Sequence, residues 1–224
     1  MNNGEQFFNT SGAGGYAIER SLRFNGPDSA YLSRTPASAS NRKTWTWAGW
    51  IKLAANTGGG YIWRVEGGSY GTGLYYGGGS TVNQYLQFEL GDGVSDSGYL
   101  RTTAWYRDFS AWYHVVVYAD TDNLSATDRA VIYVNGVRQV VTDTGISLGL
   151  VTTMNDGTTP FQIGAGYGLY TNGYLADVHF IDGQALDPTS FGEFDANGIW
   201  QPKAYSGSYG TNGCLLYTSP SPRD

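Results

Sequence analysis

Tyrosine and tryptophan residues in or beside glycine-rich segments are the side chains with the most distinctive chemistry in this sequence. Phe, Trp and Tyr make up 15% of the 224 residues, and most such rings are expected to pack in a core. A ring in a glycine-rich loop is harder to bury, and its flat apolar face and polar edge suit a sugar or a protein surface equally well. We therefore expect a ligand-binding site built from these aromatic residues: Trp50, Tyr70, Tyr75, Tyr76, Trp105, Tyr106, Tyr167 and Tyr170.

Groups that catalyse bond cleavage are poorly represented. The sequence has no serine nucleophile elbow, no cysteine nucleophile and no His–Glu metal motif. The two histidines, His114 and His179, lie in apolar stretches typical of strands. Without a neighbouring nucleophile, they are expected to be packing residues. The residue types thus favour a protein that is not an enzyme.

Composition excludes several classes of protein. Glycine contributes 33 residues and charged residues only 14%, whereas coiled coils and disordered tails are rich in Glu and Lys. The net charge is −6 and the basic residues are scattered, so nucleic acid is not an expected partner. No apolar run reaches the roughly 18 residues of a transmembrane helix, so membrane insertion is not expected either.

Apolar residues recur with period two in short runs separated by Gly, Asn, Asp and Ser, which is the pattern of β-strands. The clearest hairpin joins 130–134 to 137–141 through Asn135-Gly136, since this pair favours the positive φ angles of a type I′ turn. Residues 187–194 form the one expected helical turn, with Asp187 as N-cap before a proline. The remaining predicted strands are 17–24, 30–33, 45–53, 61–65, 73–76, 85–90, 112–119, 161–163 and 174–181.

So many short strands predict an all-β protein, a two-sheet antiparallel β-sandwich of the jelly-roll type. An up-and-down barrel is the alternative, which the irregular loop lengths disfavour. Trp50 faces away from Trp45 and Trp47 on its strand, so it either packs under a loop or belongs to a binding platform. The aromatic residues expected on inward faces are Trp45, Trp47, Phe88, Trp112, Tyr133, Phe161 and Phe180.

Several segments occur in the order and spacing of a known family: SLRFNG (21–26), WTWAGWIK (45–52), WYHVVV (112–117), IYVNG (132–136) and NGYLADVHFIDG (172–183). Over about 17–194 the sequence resembles laminin-G-like jelly rolls of the concanavalin A-like lectin and glucanase superfamily. Segments 184–195 and 209–213 are similar to uncharacterised laminin-G-like proteins found among bacteriophage structural proteins and viral metagenomes.

This resemblance implies a module of a virion or tail fibre that binds a glycan or cell-surface polysaccharide without cleaving it. A purely structural virion protein, whose aromatic loops contact other virion proteins, is the alternative. Glycosidases of this fold carry Glu-x-Asp-x-x-Glu, so that one carboxylate attacks and another donates a proton. The nearest match begins at Glu193 and Asp195, but Gly198 replaces the second Glu, so glycan hydrolysis is the weaker expectation.

Relatives of this fold also often hold Ca²⁺ through oxygen ligands at a sheet edge, which makes Ca²⁺ the one candidate cofactor. No segment matches an EF-hand loop, and aspartates in turns commonly accept hydrogen bonds from their own backbone. The aspartates available as ligands are Asp28, Asp92, Asp96, Asp120 and Asp122.

The chain divides into four expected parts. Residues 1–16 are a flexible N-terminal segment without a signal peptide, 17–194 the sandwich, and 195–213 a linker or the start of a truncated further unit. Residues 214–224 match, residue for residue, the translation of a sequencing-library adapter, so we expect the natural sequence to be interrupted after residue 213. The expected location is the virion, or the extracellular space after host lysis.

Overall fold

The computed structural model describes residues 15–54, 58–80 and 83–216. Within them the chain forms strands and single 3-10 turns, which confirms the predicted all-β class. The strands are β1 (Leu22–Phe24), β2 (Leu32–Arg34), β3 (Thr44–Leu53), β4 (Gly60–Val65), β5 (Thr72–Ser80), β6 (Asn83–Gly91), β7 (Ser97–Thr102), β8 (Tyr113–Asp120), β9 (Ala130–Val134), β10 (Val137–Arg138), β11 (Val141–Asp143), β12 (Phe161–Ile163), β13 (Ala165–Gly166), β14 (Leu169–Tyr170), β15 (Gly173–Asp182), β16 (Gly192–Phe194), β17 (Trp200–Pro202) and β18 (Cys214–Leu216).

Two antiparallel sheets of seven strands form the sandwich. The first sheet has the order β1-β15-β3-β8-β9-β10, with β18 also paired to β15, and the second has the order β11-β7-β6-β5-β4-β12-β2. Two short pairs, β13–β14 and β16–β17, lie outside these sheets. The arrangement confirms the predicted sandwich rather than the barrel.

Aromatic rings fill the space between the two sheets. Trp45 from the first sheet packs edge-on against Trp63 and Phe88 from the second, with ring centroids 5.8 and 5.6 Å apart. Phe161 and Phe180 extend this cluster, with centroids 5.6 Å apart. The predicted inward positions of Trp45, Trp47, Phe88, Phe161 and Phe180 are therefore confirmed.

Trp112 and Tyr133 do not point between the sheets, and this part of the inward prediction is wrong. Trp112 is half-buried beside Trp50, and Tyr133 is half-buried beside Val116, both on the outer face of the first sheet. Their rings are sheltered from water by chain segments that are distant in sequence, which alternation along one strand does not reveal.

The C-terminal residues cover the outer face of the first sheet. Trp200 packs on Trp50, while Phe191, Tyr205 and Tyr209 pack around His179. From residues 195–213, where the sequence predicts a linker or the start of a further unit, Trp200, Tyr205 and Tyr209 contribute to this cover. The physical reason is that β3, β8 and β15 carry apolar side chains on both faces, so both faces require cover.

The hairpin and the helical turn follow local sequence rules. Asn135 and Gly136 have φ angles of 49° and 78°, as a type I′ turn requires. The helical turn is shorter than predicted and spans Pro188–Ser190, with the Asp187 carboxylate accepting a hydrogen bond from the Thr189 backbone N–H at 2.9 Å. The predicted strand over 137–141 is split, because the chain passes from β10 in the first sheet to β11 in the second.

Two predictions concern the ends of the chain, the flexible N-terminal segment 1–16 and the adapter-derived tail 214–224. Most of the expected flexible segment, 1–14, lies outside the described residues, as do residues 217–224 of the expected adapter-derived tail. Cys214 and Leu216 are half-buried and pack against the core from β18, where they flank the outward Leu215.

Candidate functional site

The outer face of the second sheet carries a continuous set of aromatic and charged side chains, of which Tyr61 and Arg64 are buried against Gly166 of β13. Strand alternation directs Tyr85, Gln87 and Glu89 of β6 outward, and Tyr99 and Arg101 of β7 outward beside them. We call the whole set the tyrosine–arginine face; its members are Tyr61, Arg64, Tyr75, Tyr85, Gln87, Glu89, Tyr99, Arg101, Trp105 and Tyr167.

An irregularity in β4 places two members on this face. The register with β5 shifts between Tyr61 and Trp63, so Ile62 is the extra residue. Tyr61 pairs with Tyr75 and Arg64 with Gly73, and both side chains therefore point outward although they are three residues apart. Strict alternation would have placed them on opposite faces.

A row of hydrogen bonds joins the polar members across three strands. Arg64 donates through Nη1 to Glu89 Oε2 at 2.6 Å and to the Tyr61 hydroxyl at 2.8 Å. Gln87 donates its amide to Glu89 Oε1 at 2.7 Å, and its own amide oxygen accepts from Arg101 Nε and Nη2 at 2.8 and 2.7 Å. The row is held in one geometry because each group restrains the next.

Aromatic rings run alongside this row. The centroid of Tyr75 is 5.2 Å from that of Tyr61 and 6.2 Å from that of Tyr85, and Tyr85 lies 5.9 Å from Trp105. Guanidinium groups lie over several of the rings: Arg64 is 4.7 Å from the Tyr61 centroid and 5.4 Å from that of Tyr167. The face therefore offers apolar surfaces next to oriented polar groups.

Glycines make room for these side chains. A Cβ on Gly77 would overlap the Tyr75 ring, and a Cβ on Gly73 would lie 3.2 Å from Arg64 Cγ and 2.9 Å from the Trp63 carbonyl oxygen. Without side chains at these positions, Tyr75 can lie across β5 and Arg64 can cross it to reach Glu89. The glycine content of β5 is thus explained by close packing on this face.

Beside the row lies a cleft of about 500 Å³. Its lining residues are Tyr61, Arg64, Ser69, Gly71, Glu89, Ser97, Gly98, Tyr99, Thr144 and Tyr167. A cleft of this volume lies within the range of known small-molecule sites.

Burial controls the protonation of the tyrosines. Burial and the adjacent Glu89 carboxylate raise the pKa of Tyr61 far above 10, and burial together with the neighbouring Tyr85 raises that of Tyr75. Both phenols therefore remain protonated at neutral pH, and Tyr61 donates its proton to Glu89 Oε2 at 2.8 Å. A protonated phenol is a hydrogen-bond donor and a poor nucleophile.

The structure brings together only some of the aromatic residues expected at a site. Tyr75 and Trp105 lie on the tyrosine–arginine face, and Tyr167 is 61% exposed above Arg64. Tyr70 lies at its margin in the turn Gly68–Tyr70, between two lining residues of the cleft. Tyr170 packs against Tyr31 at another edge, with centroids 6.3 Å apart.

The remaining three aromatic residues are interior or half-buried. Trp50 is 2% exposed beneath Trp200, so of its two expected placements it is covered and not part of a binding platform. Tyr76 is 4% exposed in the main core, which corrects the expectation that it belongs to a ligand-binding site. Tyr106 is half-buried against the core, where its hydroxyl donates to Gln139 Oε1 at 3.0 Å. These three rings are not part of the tyrosine–arginine face.

Sequence reasoning missed the polar members, above all Arg64, Gln87, Glu89 and Arg101. The signal is the alternation of polar or aromatic with apolar residues through Tyr85–Leu90 and Tyr99–Thr102. The second run belongs to β7, a strand that sequence reasoning did not identify. Which strand lies beside which cannot be read from either run alone.

The five aspartates considered as Ca²⁺ ligands fall in three separate turns, with Asp28 in the first, Asp92 and Asp96 in the second, and Asp120 and Asp122 in the third. Asp92 accepts backbone hydrogen bonds from Val94, Ser95 and Asp96 at 2.7 to 3.1 Å, which lowers its pKa. Three of the other aspartates contact different polar groups: Asp28 contacts Asn25, Asp120 contacts Asn123, and Asp122 pairs with Lys43. No cluster of three or more His, Cys, Asp or Glu side chains suited to a metal occurs among the residues described.

Both histidines are buried on the covered face of the first sheet. His114 accepts a hydrogen bond from Trp200 Nε1 at 3.0 Å, and burial lowers its pKa to about 3. His179 lies 3.2 Å from Asp177 Oδ1 and 2.9 Å from the Tyr209 hydroxyl. Glu193 lies in β16, apart from the tyrosine–arginine face.

The family model described as the concanavalin A-like lectin/glucanases superfamily (Laminin_G_3) matches residues 25–190. The chain belongs to this superfamily. A search of curated proteins gives no significant match. This concanavalin A-like chain has no helix, among the residues described, that is long and apolar enough to cross a bilayer.

Solved structures share the fold of this concanavalin A-like chain. A heptameric SAP-like pentraxin from Limulus polyphemus is 17% identical with a TM-score of 0.53, covering 87% of this chain and 90% of its own. A tailspike protein 2 domain of bacteriophage CBA120, described as enzymatically active, is 13% identical with a TM-score of 0.55, covering 75% of this chain and 26% of its own. A putative carbohydrate binding protein from Bacteroides ovatus is 18% identical with a TM-score of 0.51, and the match covers 88% of this chain and 57% of that protein's chain.

Proposed function

We propose that this chain is a non-catalytic carbohydrate-binding module that attaches a phage virion or tail fibre to a host polysaccharide. The observation that carries the proposal is the continuous row of rings from Tyr75 through Tyr85 to Trp105, which buried Tyr61 supports from beside Tyr75. Rings placed next to fixed hydrogen-bonding groups suit the C–H faces and hydroxyls of sugars. Membership of a lectin-containing superfamily supports this reading.

The polar groups of the face favour binding over hydrolysis. Glu66 and Glu89 both pair with the Arg64 guanidinium, with N–O distances of 3.3 and 2.6 Å. A hydrolase of this kind needs one carboxyl group that carries a proton to the leaving oxygen. Both of these carboxylates are instead engaged as hydrogen-bond acceptors of the Arg64 guanidinium.

Attachment to the particle is supported by the shared fold with a bacteriophage tailspike domain and by the resemblance of 184–195 and 209–213 to phage structural proteins. A shallow site of rings and amides reaches about −4 to −6 kcal/mol, or millimolar to high micromolar affinity. Several copies on one particle would raise the avidity through effective concentration. The genes flanking the coding sequence test this assignment, since tail or capsid genes are expected there.

Replacing Tyr85 or Trp105 by alanine is expected to weaken glycan binding about tenfold, because each ring contributes contact area at the centre or end of the row. Binding of a multimeric form of the domain to arrayed host-surface polysaccharides measures the effect. Tyr118→Ala is the matched control, since Tyr118 stands beside Tyr133 on the first sheet with centroids 6.3 Å apart. Equal binding by all three variants, or no saturable binding by the unmodified domain, contradicts the proposal.

A second candidate function is contact with other virion proteins. Val137 and Val140, three residues apart where the chain passes from β10 to β11, are both exposed large apolar side chains. Exposed apolar residues that lie close together favour a protein interface. Saturable polysaccharide binding by the isolated domain separates the two functions, because a purely structural protein would show none.

A further inference from the structure

Arg101 lies at the end of the polar row, and its guanidinium forms no ion pair with a carboxylate of the described residues. Arg64 in the same row is neutralised by Glu66 and Glu89, but none of the ion pairs between described residues includes Arg101. Its partner Gln87 offers a neutral amide oxygen instead. From Glu66 to Arg101 the row therefore runs negative, positive, negative, neutral, positive.

The Arg101 guanidinium is fixed in orientation. Its Nε and one Nη2 hydrogen both point to Gln87 Oε1, and its central carbon lies 4.4 Å from the Tyr85 ring centroid and 5.3 Å from that of Tyr99. A guanidinium has five N–H donors, so the two Nη1 hydrogens and the second Nη2 hydrogen remain for another partner. They form the forked edge that matches the two oxygens of a carboxylate.

The position of Arg101 links this charge to the proposed glycan site. Tyr99 lines the cleft and contacts Arg101, while Tyr85 contacts both Arg101 and Trp105. A sugar ring stacked on Tyr85 or Tyr99 would thus bring a ring substituent within reach of the guanidinium. Because it is half-buried among rings, the charge is screened less by solvent than a fully exposed arginine.

We infer that Arg101 binds the carboxylate of an acidic sugar, so that the ligand class is an anionic polysaccharide containing uronic or other carboxylated residues. The inference rests on the proposed carbohydrate-binding function and specifies its ligand. The carboxylate supplies the missing negative charge at the end of the row, and the neighbouring rings contact the apolar face of the same sugar.

The experiment uses acidic bacterial polysaccharides and the same polymers after chemical reduction of their carboxyl groups to alcohols. The multimeric domain is expected to bind the acidic polymers at least tenfold more tightly than the reduced ones. Arg101→Gln is expected to lose about 10- to 100-fold of the affinity for acidic polymers, as typical for a charged hydrogen-bonded pair, and a clearly smaller factor of the affinity for reduced polymers. Arg101→Lys keeps the positive charge but cannot form the paired hydrogen bonds of a guanidinium. Its affinity for acidic polymers is expected to lie between those of the unmodified domain and Arg101→Gln.

Arg23→Gln is the matched control. Arg23 also lies over a tyrosine, 4.9 Å from the Tyr174 centroid, and donates to the Asn172 side-chain oxygen at 3.0 Å, but it lies on the first sheet. Its loss is expected to leave affinity for both polymer forms unchanged. An equal loss in Arg23→Gln and Arg101→Gln would indicate a general charge effect and overturn the assignment.

The outcomes distinguish this inference from the proposed function. If reduced and acidic polymers bind equally, or only the reduced ones bind, Arg101 has no carboxylate ligand while carbohydrate binding stands. If a sulfated polymer binds through Arg101 and the carboxylated ones do not, the anion is not a carboxylate and the inference is wrong. If no polymer binds, both the function and its specificity fail.

Discussion

Buried Asp182 and Asn212 are satisfied by polar groups from distant parts of the chain. Asp182 is buried and accepts hydrogen bonds from the Asn155 side chain at 3.1 Å and from the Asn212 backbone at 2.9 Å. Asn212 in turn donates to the Ser38 carbonyl at 3.0 Å. Such groups cannot be assigned partners from sequence, because their nearest neighbours in space are far apart along the chain.

His114 is expected to make stability depend on pH. Its pKa is about 3 in the folded protein, where burial disfavours the charged form, and near 6.5 when unfolded. Its contribution is therefore fully present above pH 6.5 and is lost as the pH falls towards 3, because the unfolded state binds the proton more readily. By pH 5 about 2 kcal/mol of this stabilisation has been lost.

Urea denaturation at pH 8 and pH 5 measures the free energy of unfolding of the unmodified chain and of His114→Gln. The glutamine keeps a polar acceptor for the Trp200 indole N–H. Between pH 8 and pH 5, the loss of unfolding free energy is expected to be about 2 kcal/mol smaller for the variant than for the unmodified chain. The same pH dependence in both proteins would show that His114 is not the titrating group.

At the scale of single elements, sequence patterns predicted a strand or turn correctly where its conformation depends only on its own residues. The Asn135-Gly136 turn and the inward face of β3 follow from turn chemistry and alternation. Two elements depart from this. The irregularity at Ile62 moves Arg64 to the outer face, and the strand predicted over 137–141 divides between the sheets. Both departures arise from pairing with other strands.

Gly136→Ala is expected to destabilise the fold for two reasons. Gly136 has φ 78°, which costs an L-residue about 1–2 kcal/mol, and an added Cβ would overlap the Trp200 ring. Overpacking of this kind costs about a further 1–3 kcal/mol. Gly168→Ala is the matched control, since Gly168 has φ 74° and open space around its Cβ position. Chemical denaturation is expected to show a larger loss for Gly136→Ala; equal losses would exclude the clash with Trp200.

At the scale of the whole molecule, the two sheets differ in what lies outside them. The outer face of the first sheet is covered by Trp200, Tyr205 and Tyr209, whereas that of the second sheet presents half-buried rings and charges to solvent. The sequence predicted aromatic binding residues in or beside glycine-rich loops. The structure instead presents most of the contiguous rings on a sheet face.

This asymmetry predicts that stability and binding can be changed separately. Trp200→Ala removes a buried ring from the first sheet and is expected to lower the free energy of unfolding by about 3–5 kcal/mol, while leaving polysaccharide affinity unchanged. Trp105→Ala, 46% exposed, is expected to change stability by less than about 0.5 kcal/mol while weakening binding. Thermal unfolding and polysaccharide binding of both variants measure this. Loss of binding in Trp200→Ala at a temperature where it remains folded would show that the two faces are coupled.

The amino-acid sequence by itself determined the all-β class, the sandwich, the family and most of the inward rings, because alternation, turn residues and strand composition are local properties. Tertiary structure decided which outer face is covered, which side chains of three strands meet, and that Trp50 and Tyr76 are interior. These facts depend on contacts such as that between His114 and Trp200, which are 86 residues apart. Alternation assigns a side chain to one of two faces, but only the packing of the remaining chain decides which of those faces meets water.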